Sequence, residues 1–533
     1  MRTTFASLPL LSLALVPVRQ QQLGTVRFTT SCDATAQPGF NRAVALLHSF
    51  AFAQAVDGFT AVLRTDPHCA MAYWGLALSA WGNPFAAGIK PATQLERGLA
   101  ALGKARSTGA PTLRERGYIE AVARLYQHAD SLDQRARLLA YRDAMAEVAA
   151  RESGDTEATI FHALALAISA DPADKTYASQ LAAGATLERL FAVLPDHPGL
   201  AHYIIHSYDV PPLAARALDA AHHYAHIAPT VSHALHMPSH TYTRVGAWRE
   251  SIAANLAAEA AAHREGGIAE QLHSSDYRAY AYLQLGQDRA ARAILVGLPA
   301  LAGRLDPNAI GTGAPPAAGY YAIAAIPARY ALERGAWRDA ARLELRPSPV
   351  PFADAVTQFA RALGAARSGD TSRARTALTE LQRLRDRLAQ SGESYWSAQV
   401  EIQRRAGTAW LTFAQGRQAE ALREMQAAAE REGATEKNAI TPGPLAPARE
   451  LLGEMLLASH QPAEALAAFE ATLEHEPNRF RTLAGAARAA SERGDRVKAR
   501  RYSEQLLKLG ARADRPARPE LIEAARGVAH APR

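Results

Sequence analysis

Lysine is scarce in this chain: only six of its 59 basic residues are lysine, and the rest are arginine. Beside abundant alanine, that bias reads as genome composition, so the net charge of +7 is not the signature of a nucleic-acid surface. Aromatics make up only 7%. No basic run is interleaved with stacking rings, and acidic residues are mixed through the same segments. The charge reads as a solvated helix surface, and no nucleic-acid partner is expected. The motifs of common chemistries are missing too. There is no His-Glu-x-x-His, no Gly-x-Ser-x-Gly, no phosphate loop, no dinucleotide fingerprint and no Cys-x-x-Cys-His. No segment beyond the N-terminus reads as transmembrane. Hydrophobic content of 48% and charge of 21% still describe a folded protein.

The N-terminus has Met1-Arg2, an apolar stretch from Phe5 to Val18, then Arg19 and three glutamines. That is a charged start, a short apolar run and a polar stop, which predicts a signal peptide over residues 1–22. No small-x-small triplet closes the run, so an uncleaved anchor is the alternative. The expectation is a periplasmic or secreted protein with no membrane span after signal removal. Cysteines number just two, Cys32 and Cys69. In an exported chain such a pair points to a disulfide; two unpaired thiols is the other reading.

What the chain does have is an internal period. Gly-x-x-x-x-Ala recurs at Gly286/Ala291, Gly335/Ala340, Gly369/Ala374, Gly416/Ala421 and Gly494/Ala499, and Gly246 fits with Ser251. The glycine ends one helix in a tight turn, and the small residue lets the next helix lie close. Phasing on that turn gives 34-residue steps. Hairpins are expected to begin near Ala36, Ala70, Pro198, Ser232, Tyr321, Ala355, Ala446 and Phe480. Prolines fall at repeat ends (Pro67, Pro229, Pro477), and Phe59 and Phe469 occupy a large apolar site on second helices. Cys32 and Cys69 precede first helices of successive hairpins, at the same edge of the array.

This pattern resembles the tetratricopeptide repeat over most of residues 36–510. The resemblance implies an all-α fold, a right-handed superhelical solenoid of helical hairpins. One array is expected over 36–300 with a histidine-rich inner face, a loop over 301–320, a second array over 321–510 and a flexible tail over 511–533. Residues 83–115 and 436–447 read as further connections, marked by glycine and proline. An insertion is expected around Gly266-Gly267, where one step lengthens to 40 residues.

Of 18 histidines, 11 lie between His197 and His273. His202 and His206 are four apart, and His233, His236 and His240 are three and four apart, so each set shares a helix face. In the tetratricopeptide family the first helix of each hairpin lines the concave groove. By this phase His233, His236 and His240 fall at the second, fifth and ninth places. His202 and His206 fall at the fifth and ninth of the preceding hairpin, and His273 and Asp276 at the second and fifth of the next. Three inner helices are thus expected to aim imidazoles into one trough.

Neutral imidazoles with a nearby carboxylate make a site for zinc, copper or iron. Metal ligands are expected among His202, His206, His233, His236, His240, His273 and Asp276. Asp209, Tyr203, Tyr242 and Tyr277 are candidates for holding the ligands' outer ring nitrogens. Pro238 should kink the stripe and disfavour α geometry at Met237. His222, His223, His226 and His263 read as packing or surface. Glu450 and Glu454 fall at inner-face places and read as a solvated acidic face.

The run from His197 to Tyr277 also resembles a group of bacterial tetratricopeptide proteins sharing His-Pro-Gly-x-Ala-His-Tyr and His-Ala-x-His-Met-Pro-Ser-His. So do the segment Asp66–Gly75 and Pro442-Gly443-Pro444. That resemblance carries no reaction with it. The reading is an exported solenoid that binds a protein, peptide or small ligand in its groove, with a metal-binding histidine cluster. The alternative is a metal-dependent enzyme or metal carrier. Ligand binding by the rings without metal, and purely structural use, stay open.

Overall fold

The computed structural model describes residues 21–86, 88–309 and 313–529. Apart from Gln21 and Gln22, the expected signal segment lies outside them. Among the described residues all regular structure is helical, and no helix is long and apolar enough to cross a membrane. Helices pack mainly against their neighbours in the chain, so the described residues form an all-α stack of successive helical hairpins. The predicted first helices are present at Gln37–His48, Ala70–Trp81, Pro198–Ser207, Pro316–Leu332, Pro351–Arg367, Ala448–Ala458 and Phe480–Arg493.

The turn chemistry holds as expected. Gly246, Gly286, Gly335, Gly369, Gly416 and Gly494 all have φ between 63° and 86°, a region that costs a residue with Cβ about 1–2 kcal/mol. Two turns escape the glycine pattern because Phe50 (φ 51°) and His460 (φ 58°) take the same conformation. Close packing follows from the phased residues. Phe59 lies so near Gly75 that a Cβ there would meet its ring at 2.3 Å, and Phe469 stands likewise against Gly485 at 2.4 Å. Cys32 and Cys69 form a disulfide with Cα atoms 4.8 Å apart, closing a loop of sequence separation 37. In the chain-entropy picture such a closure contributes about 4 kcal/mol.

Several segments depart from expectation. Residues 83–115 are not one long connection, since Ala92–Thr108 is helical. The tail after 511 is anchored rather than frayed. The Asp514 amide bonds to the Gly286 carbonyl, Arg518 pairs with Asp288, and Pro519–Ala529 forms a helix. Glu450 and Glu454 are not a solvated face: Glu450 is buried against Arg479, and Glu454 is held between Arg367 and Arg481. Sequence spacing alone cannot tell a solvated carboxylate from one whose arginine comes from a distant helix.

Candidate metal centre

Pro238 splits the histidine stripe into Ser232–His236 and Pro238–Arg244. Met237 nonetheless keeps α geometry (φ −53°, ψ −38°), contrary to the expected disfavour. The hydrogen-bond ladder is interrupted, but the path of the chain is not, so His233, His236 and His240 stay on one side. The insertion at Gly266-Gly267 has a use as well. The following helix runs Ile268–Gln284, and its added first turn supplies Glu270 to the centre.

All six predicted histidines come together. His202, His206 and His233 form one triad and His236, His240 and His273 a second, with the donor atoms of each triad within 4.8 Å of one another. They do not line an open trough. Their exposures run from 0 to 8%, because the irregular segments fold inward over them. Phe85 stacks on His206 with ring centroids 3.9 Å apart. Gly313 lies so close to His233 that a Cβ would meet the ring at 2.1 Å, and its carbonyl accepts from the Asn83 side chain. From residues 436–447, Lys437 reaches Asp209, and the Ala439 and Thr441 carbonyls accept from Tyr277. Phe50, at the turn where other hairpins have glycine, packs its ring 4.4 Å from that of His202.

The hydrogen bonds set the tautomers. His236 Nδ1 faces Asn255 Oδ1 at 2.7 Å, and the Asn255 Nδ2 donates to the Ser251 carbonyl, which fixes the amide. His240 Nδ1 donates to Asp209 Oδ2 at 2.9 Å. His202 Nδ1 donates to the His48 carbonyl at 2.6 Å, and His233 Nδ1 to Glu270 Oε1 at 3.2 Å. In each ring the proton therefore sits on Nδ1, and Nε2 presents its lone pair. The Nε2 atoms of His236 and His240 face each other at 3.1 Å. Two nitrogens bound at about 2.0–2.1 Å to one tetrahedral ion stand about 3.3 Å apart. The Nε2 atoms of His202, His206 and His233 and the Nδ1 of His273 are buried with no hydrogen-bond partner. Four such atoms cost roughly 4–12 kcal/mol, comparable to the net stability of a whole domain.

Charge around the rings is arranged in pairs. Burial pushes Asp209 up, yet Lys437, Arg244 and His240 pull harder and hold it well below the usual carboxylate range. Burial takes His240 down to about 4 against the opposing pull of Asp209, and His236 well below its ordinary value. These two rings are neutral donors at pH 7. Lys437 and Arg244 also wall a neighbouring cavity of about 290 Å³, with Tyr321, Phe352, Trp396 and Thr441 among its other lining residues.

Three predicted residues stand elsewhere. Asp276, one turn from His273, bonds Arg329 instead (Nε to Oδ1, 2.9 Å). Arg329 in turn holds Thr441 Oγ1 and the Gly443 and Pro444 carbonyls. Asp276 thus anchors the 436–447 loop. Tyr242 stands 5.8 Å from His222, away from the triads. Tyr203 donates to His48 Nδ1 at 3.0 Å and belongs to a separate buried group in which Glu157 accepts from His48 and His197. Tyr277 does reach the centre, 3.3 Å from His240 Nδ1.

In that separate group burial raises the Glu157 pKa, but His48 and His197 outweigh it and bring it from 4.5 to about 2. A depressed carboxylate contributes stability that is complete above its unfolded value and lost as pH falls toward the folded one. Here that amounts to about 3 kcal/mol, lost between roughly pH 4.5 and pH 2. Urea midpoints at pH 5 and pH 3.5 should fall less for Glu157→Gln than for the wild type; equal falls would disprove the assignment.

Sequence reasoning missed Glu270, Asn255, Arg244, Lys437, Phe50 and Phe85. Glu270 had a usable signal, three residues before His273 on one helix. Lys437 had another, as one of so few lysines, set in a proline-rich loop.

No protein-family profile matches the chain, and no curated protein matches it. Solved structures with similar helix succession include a human IFIT1 dimer with m7Gppp-AAAA, at 13% identity over 92% of this chain and 99% of that one, with a TM-score of 0.37. A monomeric IFIT1 mutant with m7Gppp-AAAA matches at 12% identity over 90% and 96%, with a TM-score of 0.36. Likeness at that level does not extend to a ligand.

Proposed function

We propose that this protein is an exported metal-binding solenoid. Its histidine centre holds a first-row transition ion beside a cavity that takes a small molecule. The single observation that carries the reading is the pair of Nε2 lone pairs, His236 and His240, facing each other at 3.1 Å while both Nδ1 protons are committed outward. Without a cation between them that contact is repulsive. With one, the outer acceptors Asn255 and Asp209 become the partners that orient ligand rings. His273 supplies a third nitrogen, which leaves a coordination position for an incoming molecule.

A binding role is favoured over a purely structural one by the cost of the orphaned nitrogens. Enzymatic use is the second reading. It is supported by the adjoining cavity, whose wall shares Lys437 and Arg244 with the carboxylate that holds His240. Export is supported by the apolar run Phe5–Val18 and by the Cys32–Cys69 bridge.

Untagged protein recovered from the extracytoplasmic fraction should contain stoichiometric zinc, copper or iron. His236→Ala with His240→Ala should remove it while far-UV circular dichroism stays helical. Metal-free wild-type protein that cannot be reconstituted sinks the metal reading, and a chain confined to the cytoplasm sinks export.

A further inference from the structure

We propose that the centre is dinuclear, with one ion in each histidine triad and copper as the preferred metal. This rests on the metal reading above and deepens it. The second site is the triad of His202, His206 and His233, whose three Nε2 atoms are all buried and all without hydrogen-bond partners.

Four observations carry it. First, the six donors divide into two sets, each close enough for one ion, on neighbouring rings: the His206 and His240 centroids are 5.9 Å apart, and those of His233 and His236 are 6.1 Å apart. Second, each triad has its own outer carboxylate. Glu270 fixes His233 in one and Asp209 fixes His240 in the other. Third, the first triad is packed as tightly as the second. Phe50 and Phe85 lie against its rings, and Gly313 leaves no room for a side chain over His233. The rings are therefore held in place, which is what a preorganised ligand set requires.

Fourth, the local charge speaks to the kind of ion. Two carboxylates hydrogen-bond the rings, Asp209 and Glu270, and two cations, Lys437 and Arg244, sit on Asp209; Arg244 is shared with Glu436, 3.9 Å away. Little negative charge remains to offset two divalent ions in a buried site. Two cuprous ions add half as much charge, and imidazole nitrogens are ordinary copper ligands.

The experiment is a titration of full-length, chelator-treated protein with cuprous ion under anaerobic conditions, in competition with a chromophoric cuprous chelator. A parallel titration uses zinc sulfate. Wild-type protein should take up two cuprous equivalents. His202→Ala with His233→Ala should take up one, and so should His236→Ala with His240→Ala. One equivalent in the wild type, lost in either pair of substitutions, overturns the second site while leaving the metal reading intact. No uptake at all removes both. Two zinc equivalents with weaker or no cuprous binding overturn the choice of copper. The wild-type stoichiometry decides the number of ions even if a variant fails to fold.

Discussion

Arg479→Ala is expected to lower the unfolding free energy by about 3–5 kcal/mol. Its guanidinium is fully buried, with Nε and Nη2 at 2.7 and 3.0 Å from the Glu450 carboxylate. Nη1 lies 2.8 Å from Glu333 and donates to the Tyr280 hydroxyl at 2.9 Å. Glu450 belongs to the helix Ala448–Ala458, Glu333 caps Pro316–Leu332, and Tyr280 lies on the helix that bears His273. One side chain thus ties the C-terminal array to the histidine-bearing helix. Truncation would take from Glu333 and Glu450 a shared buried cation, leaving Glu450 with Thr482 and the more distant Arg481, and uncovering a buried charge costs far more than a surface pair contributes. Urea unfolding followed by circular dichroism measures the loss, and a change below about 1 kcal/mol would contradict the account.

Asp209→Ala should weaken metal binding about ten- to a hundredfold, the usual effect of removing the partner that orients a ligand imidazole. Asp209 Oδ2 takes both the His240 Nδ1 proton and the Lys437 ammonium at 2.9 Å, while Oδ1 takes Arg244 at 2.8 Å. Without it His240 can rotate or change tautomer, and two buried cations lose their counter-charge. Asp209→Asn separates the two effects. It keeps an acceptor for the ring but removes the charge, so its affinity should fall between the wild type and the alanine variant. Competition against a chromophoric chelator reads both, and unchanged affinity in Asp209→Ala would dismiss the role given to this carboxylate.

Helix register was legible because it is periodic. Turn glycines recur at fixed steps, and the inner-face places of the repeat they resemble follow from them, so the six histidines fall on one side by sequence alone. Where the period stops, reading stops. Phe50 hides a turn because it adopts a glycine conformation without being glycine. Asp276 has the spacing of a ligand, yet it turns to Arg329, 53 residues onward in sequence, and no local pattern records that choice. The inward fold of the loops was invisible for the same reason. Phe85, Gly313 and Lys437 lie in segments without periodicity, and their contacts, with His206, His233 and Asp209 in turn, are all long-range.

The loop from 436 to 447 is fastened at two points: Lys437 on Asp209 and the Thr441–Pro444 stretch on Arg329. Its integrity and the orientation of the His240 ring are therefore one equilibrium. Nicking the backbone between those fastenings would loosen the ammonium, unbalance the carboxylate and free the imidazole, so damage to a segment that contributes no donor atom would be felt at the donors.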